Sequence, residues 1–217
     1  SFRDENGDLV SVEDEYGNEL DILTSRRWAY RLAPYFDYEW AGTTHVNARA
    51  DKLAEEPELV KETGAESWAY DVSVFPSLGL NYYAGGSIAG YNGRVPRYLR
   101  AEGVVRKRSE AVRADGMGVF FSTRFLLAGS APSIPGIPTD PVEGYLEAEL
   151  PPLGTVYNES DRSEDFGNLH PRHSGRAVVG FLDGHVGSKT AEELLDARLW
   201  SKAAQRKSDP DWRPSLP

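Results

Sequence analysis

The chain has 217 residues, 40% of them hydrophobic and 11% aromatic, which suffices for one sizeable core. A formal charge of −10 opposes nonspecific binding to nucleic acid or anionic lipid, so no nucleic-acid partner is expected. Cysteine is absent, which excludes disulfide scaffolds and thiolate metal or redox sites.

No apolar run reaches the ~18 residues of a membrane span. Residues 1–23 are acidic and turn-rich. Glu5-Asn6-Gly7-Asp8 and Tyr16-Gly17-Asn18-Glu19 read as hairpin turns around a strand at Leu9-Val10-Ser11-Val12. Asp4, Asn6, Asp8 and Glu15 fall at calcium-loop positions, but Leu9 replaces the glycine that such a loop needs for its bend, which favours a solvated hairpin. Thr24 or Ser25 can cap a short helix containing Trp28, Leu32 and Tyr35, which Pro34 must end or bend. A second helix is expected over 48–63, interrupted at Pro57.

Residues 72–86 pass from an apolar run into a glycine-rich turn, and 94–108 form the one basic patch. Gly118 to Gly129, GVFFSTRFLLAG, reads as a strand central to a sheet. The proline-rich stretch 130–152 reads as an ordered loop, with Ile134, Ile137 and Tyr145 against the body or a neighbour. Residues 158–168, NESDRSEDFGN, are dense in hard oxygen ligands: Asn158, Glu159, Asp161, Glu164 and Asp165.

The stretch 166–189, FGNLHPRHSGRAVVGFLDGHVGSK, reads as a β-hairpin. Arg176 to Leu182 alternates as a half-buried strand, and Asp183-Gly184 supplies a two-residue type I′ turn. That register sets Leu182 opposite His185 and Phe181 opposite Val186, with Ala177, Val179, Phe181 and Val186 on the core face. Thr190-Ala191-Glu192-Glu193 is a capping box that starts a helix with Leu194, Leu195 and Leu199 inward and frays near Lys207. Trp212, in an extended tail, docks back on the body.

His173, nine further residues and Asp183-Gly184 close an apolar strand, and RHSGRAVVGFLDGHV carries Arg172, Gly175, Ala177, Phe181 and Val186 in fixed places around them. This run resembles the C-terminal signature of the prepilin-type "processing-associated", pseudopilin-like family. WAYRLAPYF resembles a Trp-x-x-x-Leu-x-Pro-Tyr segment of that family. Phe75-Pro76-Ser77 resembles its Cys-Pro-Ser, with Phe75 in place of the cysteine. The resemblance implies a pilin-like α+β head: an antiparallel β-sheet with a C-terminal β-hairpin and a few short helices. The family's long apolar N-terminal transmembrane and assembly helix is absent from these residues, so the chain reads as an ectodomain. One head is expected over 1–217, comprising a variable region (1–165), the signature hairpin (166–189) and a C-terminal helix and tail (190–217). The oxygen-rich loop at 158–165 resembles, in position, the calcium loop of major pseudopilins.

The function implied is that of a structural subunit, pseudopilin or minor-pilin-like, of a type II secretion or type IV pilus filament. It would act by assembly and not as an enzyme. Its partners would be other pilin or pseudopilin subunits and the inner-membrane assembly machinery. The protein would be exported, its head anchored at the inner membrane in the periplasm or displayed in a cell-surface filament. In that reading His173, Gly175, Phe181, Asp183, Gly184 and His185 are structural. No cofactor is required, and calcium is the ion the acidic loop would take. A second reading is an extracellular carbohydrate- or calcium-binding module stacking sugars on exposed Trp40, Trp68, Tyr82, Tyr83 and Tyr91. A third is a metal-dependent hydrolase using His170, His173, Asp183 and His185. It is weakened because a straight strand sets His173 and Asp183 roughly 30 Å apart.

Overall fold

A computed structural model describes residues 11–25, 27–45, 69, 72–83, 105, 108–125 and 144–213. The chain is mixed α+β and divides into two compact units, Ser1–Pro76 and Ser77–Pro217. Among the described residues no helix is long and apolar enough to cross a membrane. The expected first turn, the calcium-like positions Asp4, Asn6 and Asp8, the helix over 48–63 and most of the basic patch lie outside the described residues.

In the first unit the expected turn at 16–19 forms as a loop closed by a Glu13–Glu19 bridge. Asp14 Oδ1 accepts from the amides of Tyr16 (2.9 Å) and Asn18 (2.8 Å). Two short helices follow, α1 (Ile22–Ser25) and α2 (Trp28–Leu32). Neither Thr24 nor Ser25 caps α2, because Arg27 occupies that position. Asp21 instead accepts from Thr24 N (3.1 Å), and the Ser25 hydroxyl donates to the Leu20 carbonyl (3.0 Å). Pro34 cannot donate to an i−4 carbonyl, and the chain tightens into a 3₁₀ turn over Ala33–Phe36. Tyr35, expected within the helix, falls in that turn instead and stands 86% exposed. Trp40 fills the core, its ring 4.7 Å from Tyr30 and 5.3 Å from Phe36. Arg27 reaches Ser73 Oγ at 2.6 Å beside buried Val72, Val74 and Phe75.

The second unit is built on a five-stranded sheet of order β3-β1-β2-β4-β5. Its strands are β1 (Leu78–Asn81), β2 (Gly118–Ser122), β3 (Glu147–Ala148), β4 (Arg176–Phe181) and β5 (Val186–Thr190). The sheet is mixed: β1 and β3 run parallel, and every other pair is antiparallel. The all-antiparallel expectation fails because the long excursion between β2 and β3 returns the chain to the far edge in the same direction as β1. The central strand read from GVFFSTRFLLAG is β2.

Alternation on β4 buries Ala177, Val179 and Phe181 on one face. Phe121 from β2 joins them and stacks on Trp200, centroids 4.1 Å apart and planes 3° from parallel. Leu169, Leu194, Leu199 and Trp212 complete this core. Trp212 docks as expected, 6.1 Å from the Tyr83 ring. On the opposite face the register aligns Leu80, Phe120, Gly180 and Val186, of which Val186 is 70% exposed.

The capping box forms reciprocally. Thr190 N donates to Glu193 Oε2 (2.8 Å), and Glu193 N donates to Thr190 Oγ1 (3.2 Å). It opens not one helix but two 3₁₀ turns, Glu193–Leu195 and Ala197–Leu199, before α3 (Lys202–Lys207). Asp196 and Ser201 are the reason: their side chains take the amides of Arg198 and Ala203, competing with helical continuation. Leu194 and Leu199 point inward, and α3 ends at Lys207 as expected, with Ser208 left-handed (φ 54°).

Asn81 joins these parts. Fully buried, it donates to the carbonyls of Gly118 (2.7 Å) and Trp200 (3.0 Å) and accepts from Tyr83 N (2.8 Å). Asn81→Leu keeps the volume and leaves three buried backbone groups without their partner. It is expected to cost about 3 kcal/mol of stability, read as a lower urea midpoint at unchanged m-value.

Candidate functional site

The signature residues all fall on β4 and its two ends. Before β4, the chain reverses at Ser174-Gly175, where φ is 53° and 77°. Both positions take the left-handed values that a two-residue type I′ turn requires. His173 and Arg176 exchange bonds across it, 3.0 Å from His173 N to Arg176 O and 3.1 Å in return. Gly175 meets the second positive φ without Cβ strain. The tight turn expected at Asp183-Gly184 is therefore at the other end of the strand.

After β4 the connection has three residues, Leu182, Asp183 and Gly184. Phe181 N bonds His185 O (2.9 Å), Gly184 N bonds Phe181 O (3.0 Å), and β4 pairs Gly180 with Val186. Only Gly184 adopts positive φ (100°), the pattern of a type I turn closed by a glycine bulge. Asp183 avoids positive φ, and its carboxylate bonds the chain ahead, accepting from His185 N (3.1 Å) and lying 2.6 Å from His185 Nδ1. The extra loop residue shifts the register by one. Val186 turns outward, against expectation, and His185 comes opposite Phe181, stacking at 4.1 Å with planes 6° apart.

Arg172 straps the approach to the hairpin onto the sheet, donating to the carbonyls of Thr123 (3.1 Å) and Ser77 (3.1 Å). The four residues of the hydrolase reading do not assemble. His170 is buried, with Nε2 3.8 Å from Glu159, and His173 is exposed at the first turn. Asp183 and His185 sit beyond the six residues of β4, roughly 20 Å along the strand. Among the described residues no group of three or more His, Asp and Glu side chains converges as a metal site.

The acidic loop is organised from within by a residue that the sequence reading passed over. Arg124, 3% exposed, donates to the carbonyls of Asn158 (3.0 Å), Glu159 and Asp161 (3.1 Å), and its guanidinium lies 5.3 Å from the Tyr157 ring centre. A guanidinium thus holds three main-chain oxygens of the loop, not the side chains expected to take calcium. The expected ligand side chains Asn158, Glu159, Asp161, Glu164 and Asp165 are exposed. Asn158 Nδ2 donates to Asp161 Oδ1 (3.0 Å), and Glu164 pairs with Arg162. A cation here would meet those carboxylates alone or displace Arg124. The signal that locates Arg124 is its place in an apolar strand run: a cation buried there must find oxygens.

Two of the aromatic residues expected to be exposed are core. Trp40 is 4% and Tyr83 7% exposed, while Tyr82 is half-buried and Trp68 and Tyr91 lie outside the described residues.

Arg124→Lys keeps the charge but not the fork that spans three carbonyls. It is expected to cost about 2 kcal/mol and to speed proteolytic nicking within 153–165, read by limited digestion and mass spectrometry. At the hairpin tip, the bond from His185 N, and then that from its ring, hold the Asp183 carboxyl below the usual carboxylate range. A lowered folded-state pKa stabilises the tip fully above the ordinary value of about 3.9. That contribution fades as pH falls through the lowered one. Amide exchange at His185, compared with that at Gly187, is expected to rise selectively in that acid window, and Asp183→Asn to remove the selectivity. Compared with family models, with curated proteins and with solved structures, the chain has no match.

Proposed function

We propose that this chain is the head of a pseudopilin or minor-pilin-like subunit of a type II secretion or type IV pilus filament, acting by assembly and surface contacts. The observation that carries the reading is the run 172–186, in which Arg172, Gly175, Ala177, Phe181, Asp183 and Gly184 each meet a specific demand of one folded unit, while Val186 turns outward. Arg172 straps the entry, Gly175 makes the first turn, and Ala177 and Phe181 enter the core. Asp183 and Gly184 close the second turn. A run whose residues serve a strap, two turns and a core marks a scaffold.

In this reading the heads sit on the outside of a filament whose core is made by apolar N-terminal helices. Subunit partners and the inner-membrane assembly machinery are reached through that helix. The acidic loop at 158–165 and the exposed loop residues Leu153 and Val156 offer contact surface.

The decisive measurement is the N-terminus of the native protein, by mass spectrometry of membrane and sheared-surface fractions. A mature form that begins with a methylated Phe and carries an apolar helix ahead of Ser1 is the expected result. A native chain starting near Ser1, or after an ordinary cleaved signal peptide, overturns the proposal.

A further inference from the structure

The sheet ends in β5, which has no neighbour strand on its far side among the described residues. Such an edge is a template for pairing with another chain. On β5 the bond between Phe181 N and His185 O fixes the alternation. Residues 187 and 189 face β4, whereas Val186, Ser188 and Thr190 turn their backbone groups outward.

Two of those outward groups are already taken by side chains. Arg176 crosses from β4 and donates through Nη2 to the Ser188 carbonyl (2.9 Å) and through Nε to Ser188 Oγ (2.9 Å). Glu193, just past the strand, accepts from Thr190 N (2.8 Å). The two are joined to each other at 3.1 Å, and Lys189 reaches the second oxygen of Glu193 at 3.2 Å. Arg176 lies opposite Thr190 on the outward face, and Lys189 lies opposite Ala177 on the core face. The three side chains therefore meet around the rim of β5 from both sides.

We propose that Arg176, Lys189 and Glu193 form an edge clamp that stops β5 from pairing with the β5 of a second copy of this chain. As solvent-exposed ion pairs they add little to stability. Their effect is to occupy the acceptor at Ser188 and the donor at Thr190, and to place charge where an incoming strand would lie. The inference rests on hydrogen-bond geometry and stands whether or not the chain belongs to a filament.

Two measurements test it. In the unaltered protein, hydrogen exchange should be about ten-fold slower at Thr190 than at Ser188, whose amide also faces outward. Equal rates would show that the clamp is open in solution and overturn the proposal. Arg176→Ala/Glu193→Ala should then raise the weight-average mass with concentration in sedimentation equilibrium while the unaltered chain stays constant. Adding Ser188→Pro, which removes an outward donor and no bond to β4, should reverse the rise. A double variant that keeps Gly187 protected from exchange and yet stays monomeric refutes the clamp. So does association that Ser188→Pro leaves untouched. If the double variant does not fold, the exchange comparison in the unaltered protein decides.

Discussion

The carboxamide of Asn81 bonds three backbone groups that lie far apart in the sequence: Gly118 on β2, Trp200 in the C-terminal segment and Tyr83 just beyond β1. Fully buried, that group fixes how the C-terminal segment sits against the sheet. The Phe121–Trp200 stack follows from that placement, since the carbonyl that Asn81 holds belongs to the stacked tryptophan. Gly118 makes room for it. A Cβ there would overlap the Phe121 ring, which Trp200 prevents from moving aside. The hairpin's core face then packs on a surface already set by the amide and the stack.

Around this centre the second unit uses guanidinium groups where other proteins use regular secondary structure. Arg124 gathers the carbonyls of 158–161, Arg172 those of Thr123 and Ser77, and Arg213 that of Pro151. Each cross-links main-chain oxygens of segments outside the strands. In a chain of net charge −10, these cations are turned toward main-chain oxygens of the fold. Loops rich in glycine and proline can hold one shape on those terms.

Features that depended on neighbours in sequence were legible. The capping box bonds as its spacing says, Gly118 to Ser122 is the central strand, and Ala177, Val179 and Phe181 face the core. What escaped was decided by competition between local options. Asp-Gly was read as a type I′ turn, but Asp183 gains more by bonding ahead to His185, which leaves Gly184 alone in the left-handed region and shifts Val186 outward. Asp196 and Ser201 divide what periodicity presents as one helix. The parallel strand β3, two residues long, carries too little pattern to register in sequence at all. The role of Arg124 required knowing that a residue just past β2 and a loop more than thirty positions later come together.

The placement of Trp200 and Trp212 has a consequence for how the protein is made. Strand β1 is synthesised early, yet the carbonyl that completes the bonding of Asn81 lies 119 residues downstream. The aromatic ring that covers Tyr83 comes later still. A ribosome releasing this chain has emitted most of the sheet before the groups that seal its core exist outside the exit tunnel. Contacts of such long range slow folding and leave apolar strands unprotected in the interval. Until Trp200 and Trp212 have been made, Phe121 and Tyr83 lack the rings that pack on them, and a chain cut before Trp200 loses both contacts at once.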